Sequence, residues 1–239
     1  MREVLTCPLC QSTQLETDLT CKDFTVSGEL FPIKKCLNCH FQMTSPTPEV
    51  QDLPRYYQSN EYISHASSPT SIINSIYLRV RSYTLQWKEE LVTKLMAQSN
   101  NKTILDYGCG TGEFLKNCKS HGWKISGVEP SETARTKAQN NCNENIGSSI
   151  HDIDTKDFNV ITLWHVLEHI PNLNDTISLL REKLHPNGKI IIAVPNPNSW
   201  DAKHYKNFWA AYDVPRHLWH FTQPNLQLLL RKHHFTLTG

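Results

Sequence analysis

An α/β fold with a doubly wound, mostly parallel sheet, preceded by a small cysteine-rich module, is the class that three observations predict. From Lys102 onward short apolar runs alternate with helical stretches; a glycine-rich loop, "GCGTG", follows the first of those runs; and two CxxC pairs stand near the N-terminus. Alternating strand and helix is what a parallel sheet covered by helices on both faces requires. The 239 residues are enough for one enzyme-sized domain and a small module.

The elements follow in order. Cys7 and Cys10 frame "CPLC", and Cys36 and Cys39 frame "CLNC". Four thiolates gathered by two tight turns suit the tetrahedral preference of zinc, and the metal bonds can fold a module too small to bury a core. The spacing therefore predicts a structural zinc on Cys7, Cys10, Cys36 and Cys39 within a zinc-ribbon-like module over 1–45. A redox dithiol is the competing reading, and Cys21 and His40 are bystanders. Residues 46–101 read as a proline-interrupted, Tyr-rich connector (Tyr56, Tyr57, Tyr62, with His65) and then one amphipathic helix from about 70 to 95.

Residues 102–239 carry the sheet. "KTILDYG" reads as a first strand, "GEFLKNCKSHG" as a helix, "WKISGVEP" as a second strand and "SETARTKAQNN" as a helix capped by Ser131. A short third strand is expected in "NIGSSIHDI", a fourth in "DFNVITLW", a helix in "NDTISLLREKL" ended by "HPNG", and a fifth strand in "KIIIAVPN".

Composition limits the partners. With 24 Lys+Arg against 23 Asp+Glu the formal charge is +1, which gives no global attraction to nucleic acid or anionic lipid. The N-terminus lacks a secretory signal and no apolar run is long enough to span a bilayer, so a cytoplasmic protein without a membrane partner is expected.

The loop then selects its ligand by charge. A phosphate loop of the G-x-x-x-x-G-K-[ST] type needs a lysine that "GCGTGEF" lacks, and a dinucleotide fingerprint would place its third glycine at Glu113. Asp106, two residues before Gly108, would repel a pyrophosphate and welcome a cation. S-adenosylmethionine carries an ammonium and a sulfonium and no phosphate. Gly108, Gly110 and Gly112 are expected to let the backbone approach its amino-acid portion. Glu129, in "GVEPS", is placed to accept from ribose hydroxyls, with support of the next helix as the alternative. Tyr107, Pro130 and Trp164 complete the expected cofactor wall.

On "LDYGCGTGEFL", "GVEPS", "FNVITLWHVLEHI", "LHPNGKIIIAVPNPNS" and "AYDVPRHLWHFT" the chain resembles the class I S-adenosylmethionine-dependent methyltransferases. The N-terminal knuckles are similar to those of the sugar C-methyltransferases. The resemblance implies a Rossmann-like methyltransferase fold with seven strands; residue 239 falls about where the sixth would begin.

"WHVLEHIP" is the reacting side. Read as a helical turn, it puts His165, Glu168 and His169 at i, i+3 and i+4 on one face. A Glu168–His169 dyad could act as general base, as the resemblance to the sugar enzymes implies. The same groups could hold a metal, completed by His217 or His220, since the ubiquinone-biosynthesis methyltransferases have a similar E-x-x-E-H. Histidines merely bonded at a helix start are the third reading. The expected protein is an S-adenosylmethionine-dependent methyltransferase acting on a small hydroxylated metabolite, such as a sugar, at carbon or oxygen. Its rivals are an RNA or protein methyltransferase docking through the zinc module, where Lys34 and Lys35 lie, and a non-catalytic cofactor-binding protein. Oligomeric state is left open.

Overall fold

The computed structural model describes residues 1–57, 72–96 and 101–237; Tyr62 and His65 lie outside the described residues. In chain order the elements are β1 Leu15–Lys22, β2 Leu30–Cys36, β3 Gln42–Thr44, α1 Ile72–Leu95, β4 Thr103–Tyr107, α2 Glu113–Ser120 and β5 Lys124–Val128. There follow α3 Glu132–Cys142, β6 Phe158–Trp164, α4 Leu173–Lys183, β7 Leu184–Ala193, α5 Trp200–Tyr205, β8 Trp219–His220 and α6 Gln223–Lys232. They fall into two compact units, one of Met1–Ser67, Leu167–Ser178 and Val194–Gly239, the other of Ser68–Val166 and Leu179–Ala193.

The second unit holds a parallel sheet in the order β5-β4-β6-β7. β6, "FNVITLW", is buried from Phe158 through Leu163 without alternation, the pattern of a strand covered on both faces. Ile104, Phe114, Leu115, Trp123 and Val160 form the core with Val92 of α1. Earlier in α1, Val80, Tyr83 and Trp87 are exposed, so its apolar stripe packs only in part. Because β4 is followed in sequence by β5 on one side and paired with β6 on the other, the winding reverses beside β4. The carboxyl ends at such a reversal form the ligand crevice of open α/β sheets.

Two local expectations give way. "NIGSSIHDI" contributes only an isolated parallel bridge, Val128 to Gly147, before a 3-10 turn at Ile150–Asp152. Ser149 caps that turn, and Asp152 Oδ2 accepts from the N–H groups of Ser148 and Ser149 at 2.8 and 3.0 Å, so local side chains win the backbone from a strand. "HPNG" does not separate helix from strand: β7 begins at Leu184 and pairs irregularly, Leu184 with Phe158 and then Lys189 with Val160.

The first unit corrects the division into 1–45, 46–101 and 102–239. Its antiparallel sheet runs β1-β2-β3-β8, and the last strand comes from residues 219–220, with Met43 opposite Trp219. Cys21, Phe31, Ile33 and Tyr56 pack with Ala202, Trp209, Tyr212 and Val214, so the N-terminal segment shares a core with late residues. Among the described residues no helix is long and apolar enough to cross a membrane.

Candidate functional site

The parallel-sheet unit carries a cavity of about 440 Å³ at the end of β4, walled by Lys88, Asp106, Gly108, Gly110, Phe114 and Trp164 among others. Its size is that of a small-molecule pocket. Asp106 is 3% exposed and accepts a 2.6 Å hydrogen bond from Thr162 Oγ1. Burial pushes its carboxyl up to about 7, and the Thr162 hydroxyl and the Lys88 ammonium oppose this incompletely. Burial likewise draws Lys88 down, against the pull of Asp106. The Lys88 ammonium lies 4.5 Å from the Trp164 ring centroid, and Phe114 meets that ring edge-on at 5.7 Å. Trp164 Nε1 is buried and has no hydrogen-bond partner among the described residues.

The three loop glycines have different tasks, which corrects the expectation that all of them make room for a ligand. All have positive φ, which glycine adopts without strain. A Cβ on Gly108 would lie 2.5 Å from Val166 Cγ2, and one on Gly112 would lie 2.9 Å from Cys142 Sγ and 3.0 Å from Ala138 Cα. Those two serve packing within the protein. A Cβ on Gly110 would meet nothing within 4 Å, so Gly110 is the position where the backbone is bare toward the cavity.

Glu129 holds the loop in place: Oε2 accepts from Gly110 N and Oε1 from Ser131 N, both at 2.9 Å. Among the described residues Tyr107, Gly112, Glu129 and Pro130 are not part of the cavity wall. Among the wall residues that sequence reasoning missed are its two cations, Lys88 and Arg81, the latter paired with Glu113 at 2.6 Å. Both sit on α1, where a charge reads as a solvated helix face.

The other unit gathers a second set. Glu168, His169 and His217 bring one ligand atom each within 4.8 Å of one another. The helical turn expected for His165, Glu168 and His169 is not formed. A 3-10 turn spans only Leu167–His169, and His165 precedes it, exposed and with a left-handed φ of 57°. His169 Nδ1 lies 3.0 Å from the carbonyl of Arg216 and 3.2 Å from the Tyr57 hydroxyl. His217 Nδ1 lies 2.9 Å from the carbonyl of Ala211. A carbonyl only accepts, so both imidazoles carry their proton on Nδ1 and keep Nε2 as the basic nitrogen. The rings meet edge-on at 4.5 Å.

Burial lowers His169, with Glu168 opposing, and lowers His217 to about 4. Both are neutral near pH 7. His220 is outside the set: its Nε2 donates to Thr44 Oγ1 at 3.0 Å, and the Thr44 hydroxyl donates to the His217 carbonyl at 2.7 Å. Tyr56 belongs to the core and donates to Glu29 Oε2 at 2.7 Å.

The four knuckle cysteines converge as expected, with Cys7 Sγ to Cys39 Sγ and Cys10 Sγ to Cys36 Sγ each 3.5 Å and all four sulfurs within 4.8 Å. Sulfurs on a tetrahedral zinc lie about 3.8 Å apart, given Zn–S of about 2.3 Å. Both knuckles close alike: Gln11 N donates to Cys7 O and His40 N to Cys36 O, at 2.9 and 2.8 Å, with φ of 63° and 59° at the closing residues. Cys21 sits in the core.

A family model described as a methyltransferase domain matches residues 59–238. Among curated proteins, the ubiquinone biosynthesis O-methyltransferase of Coxiella burnetii is 33% identical over 105 residues, 41% of this chain and 45% of that protein. That of Azoarcus is 26% identical over 106 residues, 41% and 46% of the two chains. The chain thus spans less than half the length of the curated relatives it matches. Among solved structures, magnesium protoporphyrin IX methyltransferase from Synechocystis superposes with a TM-score of 0.59 over 80% of this chain and 91% of that one, at 16% identity. A Burkholderia thailandensis 1,6-didemethyltoxoflavin N1-methyltransferase gives 0.54 over 85% and 88%, also at 16%. At such identity these two speak for the fold.

Proposed function

The chain belongs to the family of methyltransferase domains, and from that premise we propose that it transfers a methyl group from S-adenosylmethionine to a hydroxyl of a small metabolite. The observation that carries the reading is the cavity at the winding reversal, where a buried carboxylate, a bare backbone at Gly110 and an orphaned indole N–H converge. When bound, S-adenosylmethionine supplies a sulfonium-borne methyl open to in-line displacement, so orientation contributes much of the rate.

The protein's part follows from its own groups. Asp106 suits the donor's ammonium, Lys88 its carboxylate, and Trp164 the apolar surround of the reacting carbon. Glu129 retains lone pairs for ribose hydroxyls while it anchors Gly110. His169 Nε2, neutral at working pH, takes the acceptor's hydroxyl proton, and Glu168 stabilises the imidazolium that results. The O-methyltransferase relatives favour oxygen over carbon as the methylated atom; a phenol, a catechol and a sugar all offer it. The four cysteines hold a structural zinc. Eight cysteines outside any disulfide suit a reducing compartment, which supports a cytoplasmic location.

Calorimetry with S-adenosylmethionine tests the donor site. Asp106→Ala should weaken binding at least about tenfold; unchanged affinity would remove the ligand from this cavity. Methyl transfer from labelled donor to a panel of phenols, catechols and sugars tests the base. His169→Ala should keep donor binding and lose turnover by about 100-fold or more. Full turnover would leave His169 a structural residue. Turnover that chelation abolishes and a divalent ion restores would move Glu168, His169 and His217 from acid–base work to metal holding.

A further inference from the structure

Two imidazoles reach the basic cluster from distant parts of the chain, and one residue is bonded to segments that orient them. Arg216 is 1% exposed, and its guanidinium is forked among three segments. Nε donates to both carboxylate oxygens of Asp213 at 3.0 Å. Nη2 donates to Asp213 Oδ1 at 2.7 Å and to Asp23 Oδ1 at 3.0 Å, and Nη1 donates to the carbonyl of Tyr56 at 2.8 Å. Asp23 is itself buried and fixed by the N–H groups of Thr25, Val26 and Ser27 at 3.0, 3.2 and 2.9 Å.

The orienting contacts lie on the residues this fork holds or on their immediate neighbours. The carbonyl of Arg216 accepts from His169 Nδ1, and the next residue is His217, whose backbone N–H donates to Asp213 O at 3.0 Å. Tyr57, next to the Tyr56 carbonyl that Nη1 grips, sets its hydroxyl against His169 Nδ1. Stability alone is a poor account of such a fork. A buried ion network is often no better than packed apolar side chains of similar volume, because two carboxylates and a guanidinium must be desolvated. A guanidinium does supply geometry, since its planar donors fix several acceptors at once.

We propose that Arg216 is the positioning residue of the His169–His217 pair: its buried fork fixes the 213–217 turn and the Tyr56–Tyr57 backbone so that both rings donate Nδ1–H to carbonyls and leave Nε2 basic. The inference rests on the reading of His169 as base. No atom of Arg216 exchanges a proton in it. The acceptor's proton goes to His169 Nε2, and the other proton stays on Nδ1, which donates to the Arg216 carbonyl.

The test uses the full chain with 15N-labelled histidine. Long-range proton–nitrogen spectra report which ring nitrogen is protonated, calorimetry gives donor affinity, and labelled methyl transfer gives kcat and KM. The wild type should show His169 and His217 as Nδ1–H tautomers. Arg216→Lys keeps the charge and loses the fork. It should shift His169 toward the Nε2–H tautomer and lower kcat about 100-fold, with donor Kd and acceptor KM unmoved. Asp23→Asn, which removes one arm only, should do the same more weakly and covers the case in which Arg216→Lys does not fold. Wild-type tautomers and wild-type kcat in a folded Arg216→Lys, or in Asp23→Asn where that is the variant that folds, would overturn the proposal. Should His169→Ala retain full turnover, the base reading falls by itself, while the tautomer spectra still decide whether Arg216 sets the rings.

Discussion

The two units bury their reactive groups by the same physics and obtain opposite results. In the parallel-sheet unit desolvation acts on an acid and pushes Asp106 up to about 7. In the antiparallel unit it acts on bases and takes His217 down to about 4 and His220 to about 3. Each site is thereby kept near neutral, Asp106 until a cation arrives and His169 as an uncharged imidazole. Burial disfavours whichever form is charged. The first site is thus suited to receiving a cationic ligand, and the second holds its imidazoles neutral, with a free ring nitrogen, near pH 7.

The largest difference between the units should lie in what holds them folded. Each unit has an apolar core, but the antiparallel sheet also begins from two knuckles whose four sulfurs face one another. Cys36 is fully buried. Cys36→Ser should remove one zinc per chain and cost stability on the order of the ~10 kcal/mol that a structural zinc contributes. It should leave S-adenosylmethionine binding measurable by calorimetry. Equal metal content and an equal melting temperature in the variant would make the cluster four buried thiols and nothing more.

The next effect is on pH dependence, where the units pull in opposite directions. Folded His217 and His220 titrate below the ordinary 6.5, as His169 does by direction. Below pH 6.5 the unfolded chain therefore binds protons that the folded one refuses. Their contribution is complete above 6.5 and is lost as pH falls toward 4, at up to about 1.4 kcal/mol per group per pH unit. Asp106 works the other way: its folded value lies above the ordinary 3.8, so its contribution is complete below 3.8 and lost as pH rises through about 7. The melting temperature should drop steeply between pH 6.5 and 4. Asp106→Asn should raise it selectively near pH 8. A flat acid limb would mean that the imidazoles are not buried as neutral rings.

The same contrast explains what could be read from the sequence. The cavity takes Asp106 and Gly110 from one run of the chain, and Glu129, which anchors Gly110 from outside the wall, from just beyond it, so their types and spacing carried the chemistry. Lys88 was not legible, because on α1 only the tertiary fold distinguishes a cavity wall from a wet face. The other unit is built from distance. Asp23 and Arg216 are 193 residues apart, and the two-residue strand β8 that joins the late segment to the N-terminal sheet is too short to announce itself. His217 entered the reading only as one of two histidines, and the choice over His220 depends on Thr44, which occupies His220 Nε2. "WHVLEH" misled for a local reason. The helical period was read across His165, whose left-handed backbone begins a new turn.

The smallest expected effects come from two neighbouring glycines and divide stability from ligand binding. Gly110 and Gly112 have φ of 55° and 76°, so alanine at either incurs the left-handed cost of about 1–2 kcal/mol. At Gly112 the new methyl also presses on Cys142 Sγ and Ala138 Cα at 2.9 and 3.0 Å, and backbone can yield little. Overpacking there adds about 1–3 kcal/mol. Gly112→Ala should therefore lower the urea midpoint clearly and change donor affinity little in the protein that remains folded. At Gly110 the methyl enters open space on the cavity side. Gly110→Ala should thus show only the backbone cost in urea and a weaker affinity for S-adenosylmethionine. Equal midpoints for the two variants would mean that α2 and α3 do not pack as tightly as the Gly112 contacts require. Unchanged affinity in Gly110→Ala would place the donor away from the bare backbone, and the cavity would lose its best-defined point of approach.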